Sequence, residues 1–259
     1  MKRGVKTLTF LAMLTIALLM IALVGPFKAN AAGVTNAGHS SSSASVKHFS
    51  APPVFIKNSQ SLNWSGYAAT GGRFTKVSAK WTAPKVTCSG TTTYSSFWVG
   101  LDGDGSNSVE QTGTASYCQG GSASYFAWYE MFPKFPVTIG HPVVPGDSMS
   151  ASVTSGANSS FKLAISDSTR GWTFQTTKTL KGAQLASAEV IAEAPSSQGG
   201  VLPLANFGTV KFNSSMVNGK TIGSFSPDEI VMVTQGGTVK AQPSALSGGT
   251  AFSVAWKHS

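Results

Sequence analysis

The sequence predicts an all-β domain, built as an antiparallel sandwich or barrel of many short strands. Apolar and polar residues alternate over short runs, which is typical of strands with one face against a core. Turn signals separate these runs, and no long amphipathic helix pattern interrupts them. The turn signals are Gly71-Gly72, Gly120-Gly121, Pro145-Gly146-Asp147, Asn218-Gly219, Gly236-Gly237 and Gly248-Gly249.

Four segments illustrate the pattern in chain order. Residues 148–154 and 161–165 place an apolar side chain at every second position. Residues 180–194 have some helical character, but the β-branched pair Val190-Ile191 shortly before a proline favours a strand at the end of this segment. Residues 252–256 alternate again, so strands are expected through to the C-terminal end of the sequence.

The composition excludes several classes of protein. The chain has 259 residues, 37 of them Ser and 25 Thr, and only 11% are charged, against roughly 25% in ordinary soluble domains. A hydrophobic content of 41% is too high for a disordered chain, and the hydroxyl-rich composition is unlike that of a coiled coil. With only 10 Asp and Glu, the protein should gain little charge when carboxylates are protonated, so it should tolerate acid.

The first 31 residues resemble a secretory signal peptide. Positive charges at residues 2–6 precede the apolar run Leu8–Val24, and Ala29-Asn30-Ala31 has the small residues of a cleavage site. An uncleaved anchor helix is the alternative. Without residues 1–31 the net charge falls from +9 to +5, with 15 basic against 10 acidic residues and no basic cluster. We therefore expect a secreted protein that binds no nucleic acid and, after signal removal, no membrane.

Residues 32–61 are predicted to be a pro-segment or a linker, and residues 62–259 a single domain. The segment is rich in Ser and contains Lys47 and Lys57 but no acidic residue. A flexible linker is the simplest interpretation of such a composition. The two cysteines, Cys88 and Cys118, are expected to form one disulfide in an exported chain, with catalytic thiols as the alternative.

Histidine and metal chemistry find little support in the sequence. His39 and His48 lie in the leader, and His141 and His258 are expected at the surface. Neither a His-Glu-x-x-His motif nor a Gly-x-Ser-x-Gly motif is present. The acidic loop at 102–106 lacks the Gly and Glu that a calcium loop requires. We expect no metal and no cofactor.

The carboxylates are better candidates for chemistry. Four of the ten acids lie in turn-like contexts, where turn capping explains them: Asp147, Asp167, Asp228 and Glu229. Others lie among aromatic and apolar residues, where an acid needs a reason. In a strand at 188–193, Glu189, Ile191 and Glu193 share one face. If the opposite face is core, both Glu side chains point away from it, into solvent or a groove.

Six motifs in order resemble the eqolisins, the glutamic peptidase family. They are Asn63-Trp64-Ser65-Gly66, residues 97–104 (Phe-Trp-Val-Gly-Leu-Asp-Gly-Asp), Gln111-Thr112-Gly113, Ala127-Trp128-Tyr129-Glu130, Gly146-Asp147-Ser148 and residues 188–193 (Ala-Glu-Val-Ile-Ala-Glu). The resemblance extends from Asn63 to about Phe212. It implies a two-sheet antiparallel β-sandwich of the concanavalin-like or jelly-roll type with a concave substrate face, secretion, a removable pro-segment and activity in acid.

The resemblance also implies the site. Gln111 matches the catalytic glutamine, and Glu193 matches the catalytic glutamate, whereas Glu189 lies on the same face without that role. Six further residues match positions that line or support the cleft: Trp64, Trp98, Asp102, Trp128, Glu130 and Phe132. Phe132 stands where relatives have Tyr, so the hydroxyl group that could bind a substrate there is absent.

Elementary chemistry is compatible with this pair. A free Glu has a pKa of about 4.3, so its carboxylate can take a proton from water at mildly acid pH. His would be cationic there, whereas the Gln amide is neutral at every pH and can donate to an oxyanion. We expect Glu193 to activate a water for direct attack on the peptide bond and Gln111 to stabilise the tetrahedral oxyanion. Acid would weaken the hold of the basic leader on this cleft.

Two other classes of protein remain open from the sequence. A sandwich-fold glycoside hydrolase would use Glu130 and Glu193 and would not need Gln111. A non-catalytic binding module would tolerate the loss of both Gln111 and Glu193. For the peptidase, the expected partners are polypeptide substrates, and the mature chain is expected to be a monomer.

Overall fold

The computed structural model describes residues 51–57 and 59–259, with the main chain alone for residues 56 and 57. The predicted signal peptide and residues 32–50 of the predicted leader lie outside the described residues. Within the described part of the chain, no helix is long and apolar enough to cross a membrane.

The described residues form nineteen strands and two short 3₁₀ helices. The strands are β1 (Phe55–Lys57), β2 (Gln60–Ser61), β3 (Trp64–Ala69), β4 (Lys76–Thr82), β5 (Thr93–Leu101), β6 (Val109–Gln119), β7 (Ser122–Phe132), β8 (Val137–Pro142), β9 (Ser148–Ser155), β10 (Ser160–Asp167), β11 (Trp172–Thr179), β12 (Ala188–Glu193), β13 (Ser196–Ser197), β14 (Gly200–Val201), β15 (Thr209–Val217), β16 (Lys220–Thr221), β17 (Asp228–Val233), β18 (Val239–Pro243) and β19 (Phe252–Trp256). The 3₁₀ helices are Ala157–Ser159 and Ile222–Phe225.

Most of these strands belong to two antiparallel sheets. The first sheet has the order β17-β3-β12-β5-β6-β7-β8. The second sheet has the order β18-β19-β15-β4-β9-β10-β11. Strand β17 also pairs with β18 and so connects the two sheets. The prediction of a two-sheet antiparallel β-sandwich is confirmed.

The main hydrophobic core lies between the two sheets. Phe97, Val99 and Leu101 project into it from β5, and Leu163 and Phe212 project into it from the other sheet. All five side chains are almost fully buried. Each such side chain stabilises the fold by about 1.5–3 kcal/mol relative to leaving it in water.

Strand β12 divides its side chains between this core and the outer face of the first sheet. Ala188, Val190 and Ala192 belong to the core, whereas Ile191 belongs to a second apolar cluster. Because side chains alternate along a strand, Glu189 and Glu193 share the outer face with Ile191. The expected strand at 188–193 and the expected direction of both Glu side chains are therefore confirmed.

The disulfide expected from the sequence is present. Cys88 and Cys118 are bonded, with 5.4 Å between their Cα atoms, and neither thiol is free. The bond joins the loop before β5 to the end of β6 across 30 positions of the sequence. Closing a loop of this length stabilises a fold by roughly 3–4 kcal/mol on the chain-entropy model.

Two glycines allow Trp98 to lie flat against the outer face of the first sheet. A Cβ on Gly113 would lie 2.5 Å from the Cβ of Trp98 and 2.2 Å from the carbonyl oxygen of Phe97. A Cβ on Gly100 would lie 2.9 Å from Cζ3 of the Trp98 ring. These distances are shorter than van der Waals contact, so the position of Trp98 requires glycine at both sites.

We predict that Gly113→Ala destabilises the protein, because the added methyl group must displace the main chain of β5 or the Trp98 side chain. Overpacking of this kind costs about 1–3 kcal/mol, which lowers the thermal midpoint by roughly 3–10 °C in a domain of this size. Thermal unfolding followed by circular dichroism measures the change.

Gly140→Ala is the matched control, because Gly140 is exposed on β8 and its added Cβ would meet nothing within 4 Å. Equal midpoints for the two variants would contradict the packing argument.

Candidate active site

The outer face of the first sheet carries a second apolar cluster that surrounds the predicted site residues. Its buried members are Trp64, Ala68, Trp98, Val109, Ala115, Trp128, Ile191 and Ile230. Tyr117, Phe126 and Phe132 pack against it and are partly buried. Gln111 and Glu130 lie on this face by alternation with Val109 and Trp128, respectively.

The Gln111 amide is held from one side by Glu130. On β6, Gln111 is paired with Gly100 of β5 and with Glu130 of β7. Its Nε2 donates a 2.8 Å hydrogen bond to Oε2 of Glu130. Its Oε1 is buried and has no hydrogen-bond partner among the described residues. The amide is thus oriented, with one N–H and its oxygen left for other groups.

The Glu193 carboxyl is held by Trp98. Nε1 of Trp98 donates a 2.7 Å hydrogen bond to Oε2 of Glu193, and both residues are fully buried. Trp64 packs edge-on against Trp98, with 4.9 Å between the ring centroids. Hydrogen bonds of N–H donors to a carboxylate are shorter and stronger than those between neutral groups. The indole therefore fixes one carboxylate oxygen and leaves Oε1 for a second contact.

Trp98 lies on β5, between the strands that carry Gln111 and Glu193, which are opposite Gly100 and Ser96, respectively. Its Cζ3 lies 2.9 Å from the Cβ position that Gly100 lacks, and Cβ of Gln111 lies 3.2 Å from the same point. One end of the indole therefore covers Gly100, the strand partner of Gln111, while the other end donates to Glu193. The result is a line of side chains on four neighbouring strands, from Glu130 on β7 through Gln111 on β6 and Trp98 on β5 to Glu193 on β12.

Residue 51 covers the end of this line. The main-chain N–H of Ala51 donates a 3.2 Å hydrogen bond to Oε1 of Glu193. Gln111, Glu193 and Glu130 each have 0% of their surface exposed. In this structure the predicted site is therefore covered rather than open to a substrate.

Comparison with known proteins identifies the family. The family model described as "Peptidase A4 family" matches residues 62–256, about three quarters of the chain. The chain belongs to the peptidase A4 family. A curated relative, aspergillopepsin-2 of Aspergillus niger, is 29% identical over 212 residues, which cover 71% of this chain and 74% of the relative.

Solved structures of similar proteins support the same assignment. A scytalido-glutamic peptidase bound to a transition-state analogue inhibitor matches with a TM-score of 0.66 and 25% identity, covering 75% of this chain and 98% of the other. The aspergilloglutamic peptidase of Aspergillus niger matches with a TM-score of 0.56 and 27% identity, covering 63% and 99%. This A4 peptidase is thus a glutamic endopeptidase that acts on polypeptides, and the glycoside hydrolase and binding-module alternatives are set aside.

The A4 peptidase contains a partly buried phenol, that of Tyr117, which the sequence motifs did not identify. Tyr117 lies on β6 on the same face as Gln111, and its ring packs edge-on between those of Tyr94 and Phe126, at 4.8 and 5.0 Å. Burial raises the pKa of Tyr117, and the negative charge of Glu193 raises it further. The phenol therefore stays protonated near Glu193. Tyr117 and Gln111 are an even number of positions apart, and such residues share one face of a strand. This spacing is the sequence signal that could have predicted Tyr117 as a residue of the site.

Asp102 holds a loop of the A4 peptidase. Its two carboxylate oxygens accept hydrogen bonds from the main-chain N–H groups of Leu185 and Ala186, at 2.9 and 2.8 Å. Asp102 has φ of +65°, a left-handed conformation that is uncommon for residues other than glycine. These bonds fix the segment that leads into β12, so Asp102 supports the strand that carries Glu193.

Two further carboxyl groups are buried in the A4 peptidase. Burial raises the pKa of Glu189 well above its usual value, and the charges of Asp104 and Asp102 add to the shift. Burial, and then the negative charge of Asp102, raises the pKa of Glu110 from 4.5 to about 8. Both residues are 0% exposed. Within the described part of the chain, no group of three or more His, Cys, Asp or Glu residues could hold a metal.

The raised pKa of Glu110 predicts that stability falls as pH rises. Below about 4.5, Glu110 is protonated in both states; between 4.5 and about 8 the folded state alone keeps its proton. The folded state then binds more protons than the unfolded state, so the free energy of unfolding decreases across this window. Glu110→Gln should flatten the decrease and raise stability by about 3 kcal/mol near neutral pH, at 1.4 kcal/mol per pKa unit.

Denaturant unfolding at pH values below, within and above this window measures the slope for Glu110→Gln. The control is Gln119→Ala, because Gln119 is exposed at the end of β6 and carries no charge at any pH, so its loss should leave the slope unchanged. An unchanged slope in Glu110→Gln would show that Glu110 is not the source of the pH dependence.

Proposed function

We propose that this protein is an acid-acting endopeptidase in which Glu193 activates a water molecule and Gln111 stabilises the tetrahedral oxyanion. The observation that carries the proposal is the Trp98 indole, which donates to Glu193 at 2.7 Å and covers Gly100, the strand partner of Gln111. One rigid side chain thus lies between the strands of the proposed base and the proposed oxyanion donor. Fixed relative geometry is what water attack on a bound peptide requires.

The surroundings of Glu193 suit a general base in mild acid. The Trp98 N–H stabilises negative charge on Oε2 and fixes the plane of the carboxylate. The other oxygen, Oε1, faces a main-chain nitrogen at 3.2 Å, which is a distance suited to proton transfer. Glu193 would take a proton from the attacking water and then deliver it to the leaving amine nitrogen.

The surroundings of Gln111 suit an oxyanion donor. A Gln amide carries two N–H bonds, and one of them is directed to Oε2 of Glu130. The second N–H remains for the oxygen that becomes negative when water adds to the carbonyl carbon. The Gln111 oxygen, which is free of partners among the described residues, can accept from the attacking water and orient it. Neither step needs an acyl-enzyme or a metal.

The aromatic residues around the line would bind the substrate. The indole N–H groups of Trp64 and Trp128 are buried and have no hydrogen-bond partner among the described residues. In a covered site such donors are costly unless a ligand uses them, so we propose that they donate to substrate carbonyl oxygens. Phe132 and Glu130, at the end of β7, would also line the cleft. Asp102 would support it through its hydrogen bonds to residues 185 and 186.

We predict that Gln111→Ala lowers kcat by about 10²–10³-fold, the usual effect of losing one oxyanion donor. Glu193→Gln, which keeps the shape but not the base, should lower kcat by at least 10²–10⁴-fold. Acid-pH digestion of denatured casein measures both, with soluble glucans and xylans as substrates that should remain intact.

The matched control is Glu189→Gln, because it makes the same chemical change on the same strand and face as Glu193→Gln. It should keep activity within a few-fold of the parent. Near-parental turnover in Gln111→Ala or Glu193→Gln would contradict the assignment of these two residues as the catalytic pair.

We further propose that the protein is exported, with residues 1–31 removed as a signal peptide and residues 32–61 acting as a pro-segment. The disulfide between Cys88 and Cys118 supports export, since such bonds persist in oxidising compartments. The contact of Ala51 with Glu193 supports a segment that blocks the site until it is displaced.

Mass spectrometry of the protein from the culture medium should therefore find a chain beginning at or after residue 32. Replacing Ala29 and Ala31 together with Leu should keep the protein cell-associated and uncleaved, because the signal peptidase needs small residues there. Efficient release of that double variant at the parental mass would contradict the signal-peptide proposal.

A further inference from the structure

Asn63 makes an unusual set of contacts with the segment that covers the site. Its Nδ2 donates to the carbonyl oxygens of Ala51 and Pro52, both at 3.3 Å. Its Oδ1 accepts from the main-chain N–H of Val54 at 2.9 Å. Ser61 donates its hydroxyl to the same Oδ1 at 2.9 Å and so fixes which end of the amide carries the oxygen. Asn63 is fully buried.

Residues 51–54 lead away from Glu193 along the chain, and each contact follows the previous one in sequence order. The N–H of Ala51 bonds to Oε1 of Glu193, and the following residues then pass Asn63. The carbonyl of Val54 accepts from the N–H of Leu62, and the segment continues as β1 against β2. Asn63 is itself adjacent to the site, because its carbonyl accepts from the N–H of Ala194, the residue after Glu193.

Every hydrogen bond between the Asn63 side chain and residues 51–54 is to the main chain. A side-chain amide that binds two carbonyl oxygens and one N–H imitates the edge of a β-strand and does not depend on the side chains of its ligand. Recognition of this kind suits an enzyme that must bind many peptide sequences in an extended form.

We propose that Asn63 is a substrate-binding residue that holds the main chain of the leaving-group half of a bound polypeptide, and that residues 51–54 occupy this path in the covered enzyme. The inference rests on the proposed role of Glu193. In that role the nitrogen facing Oε1 is the leaving amine, so Ala51 stands for the first residue after the cleaved bond. Pro52, Pro53 and Val54 then stand for the second, third and fourth residues.

The pattern of contacts specifies which N–H groups of a substrate matter. The fourth residue after the cleaved bond must donate its N–H to Oδ1 of Asn63, as Val54 does. The second and third residues need no N–H, because Pro52 and Pro53 have none in the covering segment. The carbonyl groups of the first and second residues accept from Nδ2 of Asn63, as those of Ala51 and Pro52 do.

The test uses the full-length chain after incubation in acid, with peptides that contain one cleavage site mapped by mass spectrometry. Methylation of the main-chain nitrogen of the fourth residue after that site should lower kcat/KM by about tenfold, the effect of losing one hydrogen bond. Methylation at the third residue is the matched control and should change kcat/KM by less than about twofold. Equal tolerance of both methyl groups would overturn the inference.

A variant of the enzyme assigns the effect to Asn63. In Asn63→Ala, the penalty for methylation at the fourth residue should disappear, since the partner of that N–H is gone. Asn213→Ala, an exposed Asn on β15, should retain the penalty. Persistence of the full penalty in Asn63→Ala would overturn the inference. If Asn63→Ala does not fold, the paired peptides still decide the matter with the parental enzyme.

The two proposals fail in different ways. Parental activity of Gln111→Ala or Glu193→Gln would refute the proposed mechanism, whatever peptides are used. The methylated peptides test how Asn63 binds substrate in an enzyme that is active. Equal tolerance of both methyl groups would therefore refute the role of Asn63 without contradicting the roles of Gln111 and Glu193.

Discussion

The hydrogen bond from Trp98 to Glu193 is the interaction on which the candidate site depends. It fixes one carboxylate oxygen at 2.7 Å, and the indole that donates it covers Gly100, the strand partner of Gln111. The indole can lie there only because Gly100 and Gly113 present no side chain beneath it. Trp64 supports the ring from the side. A loose indole would remove the hydrogen bond that orients the Glu193 carboxyl group.

The scarcity of charge in the sequence acquires a specific meaning in the folded protein. A single ion pair is present among the described residues, between Arg170 and Asp147 at 2.7 Å. By contrast, Glu110 and Glu189 are buried with pKa values raised mainly by burial, so they are retained as neutral acids. Protonation in acid therefore breaks few ion pairs, and it leaves the buried carboxyl groups in their neutral form. These buried groups favour the folded state in the acidic pH range in which the proposed peptidase acts.

Much of the fold could be predicted from the sequence because its signals are local. Alternation at 161–165 and 252–256 corresponds to β10 and β19, and Asn218-Gly219 forms the turn between β15 and β16. The faces of β12 followed from alternation alone. These features depend on residues that are close together in the chain, and the period of two is set by the geometry of a strand.

The rest of the site depends on contacts between residues that are distant in sequence. Trp98 and Glu193 are 95 positions apart, and Ala51 and Glu193 are 142 apart. Such pairs follow from strand order, which alternation does not specify. The role of Asp102 in holding residues 185 and 186 was hidden for the same reason. Motif resemblance named Asp102 as a residue of the cleft but did not reveal what it holds.

The covering segment raises a question of selectivity. If Asn63 holds both residues 51–54 and a substrate through main-chain contacts, its amide cannot distinguish them. Protonation of Glu193 cannot distinguish them either, because the proposed mechanism requires its carboxylate to act as the general base in acid. The contact between Oε1 of Glu193 and the Ala51 N–H is therefore available to either ligand. If residues 32–61 are the proposed pro-segment, its cleavage from the domain removes the competitor, and the same main-chain contacts then hold an extended peptide.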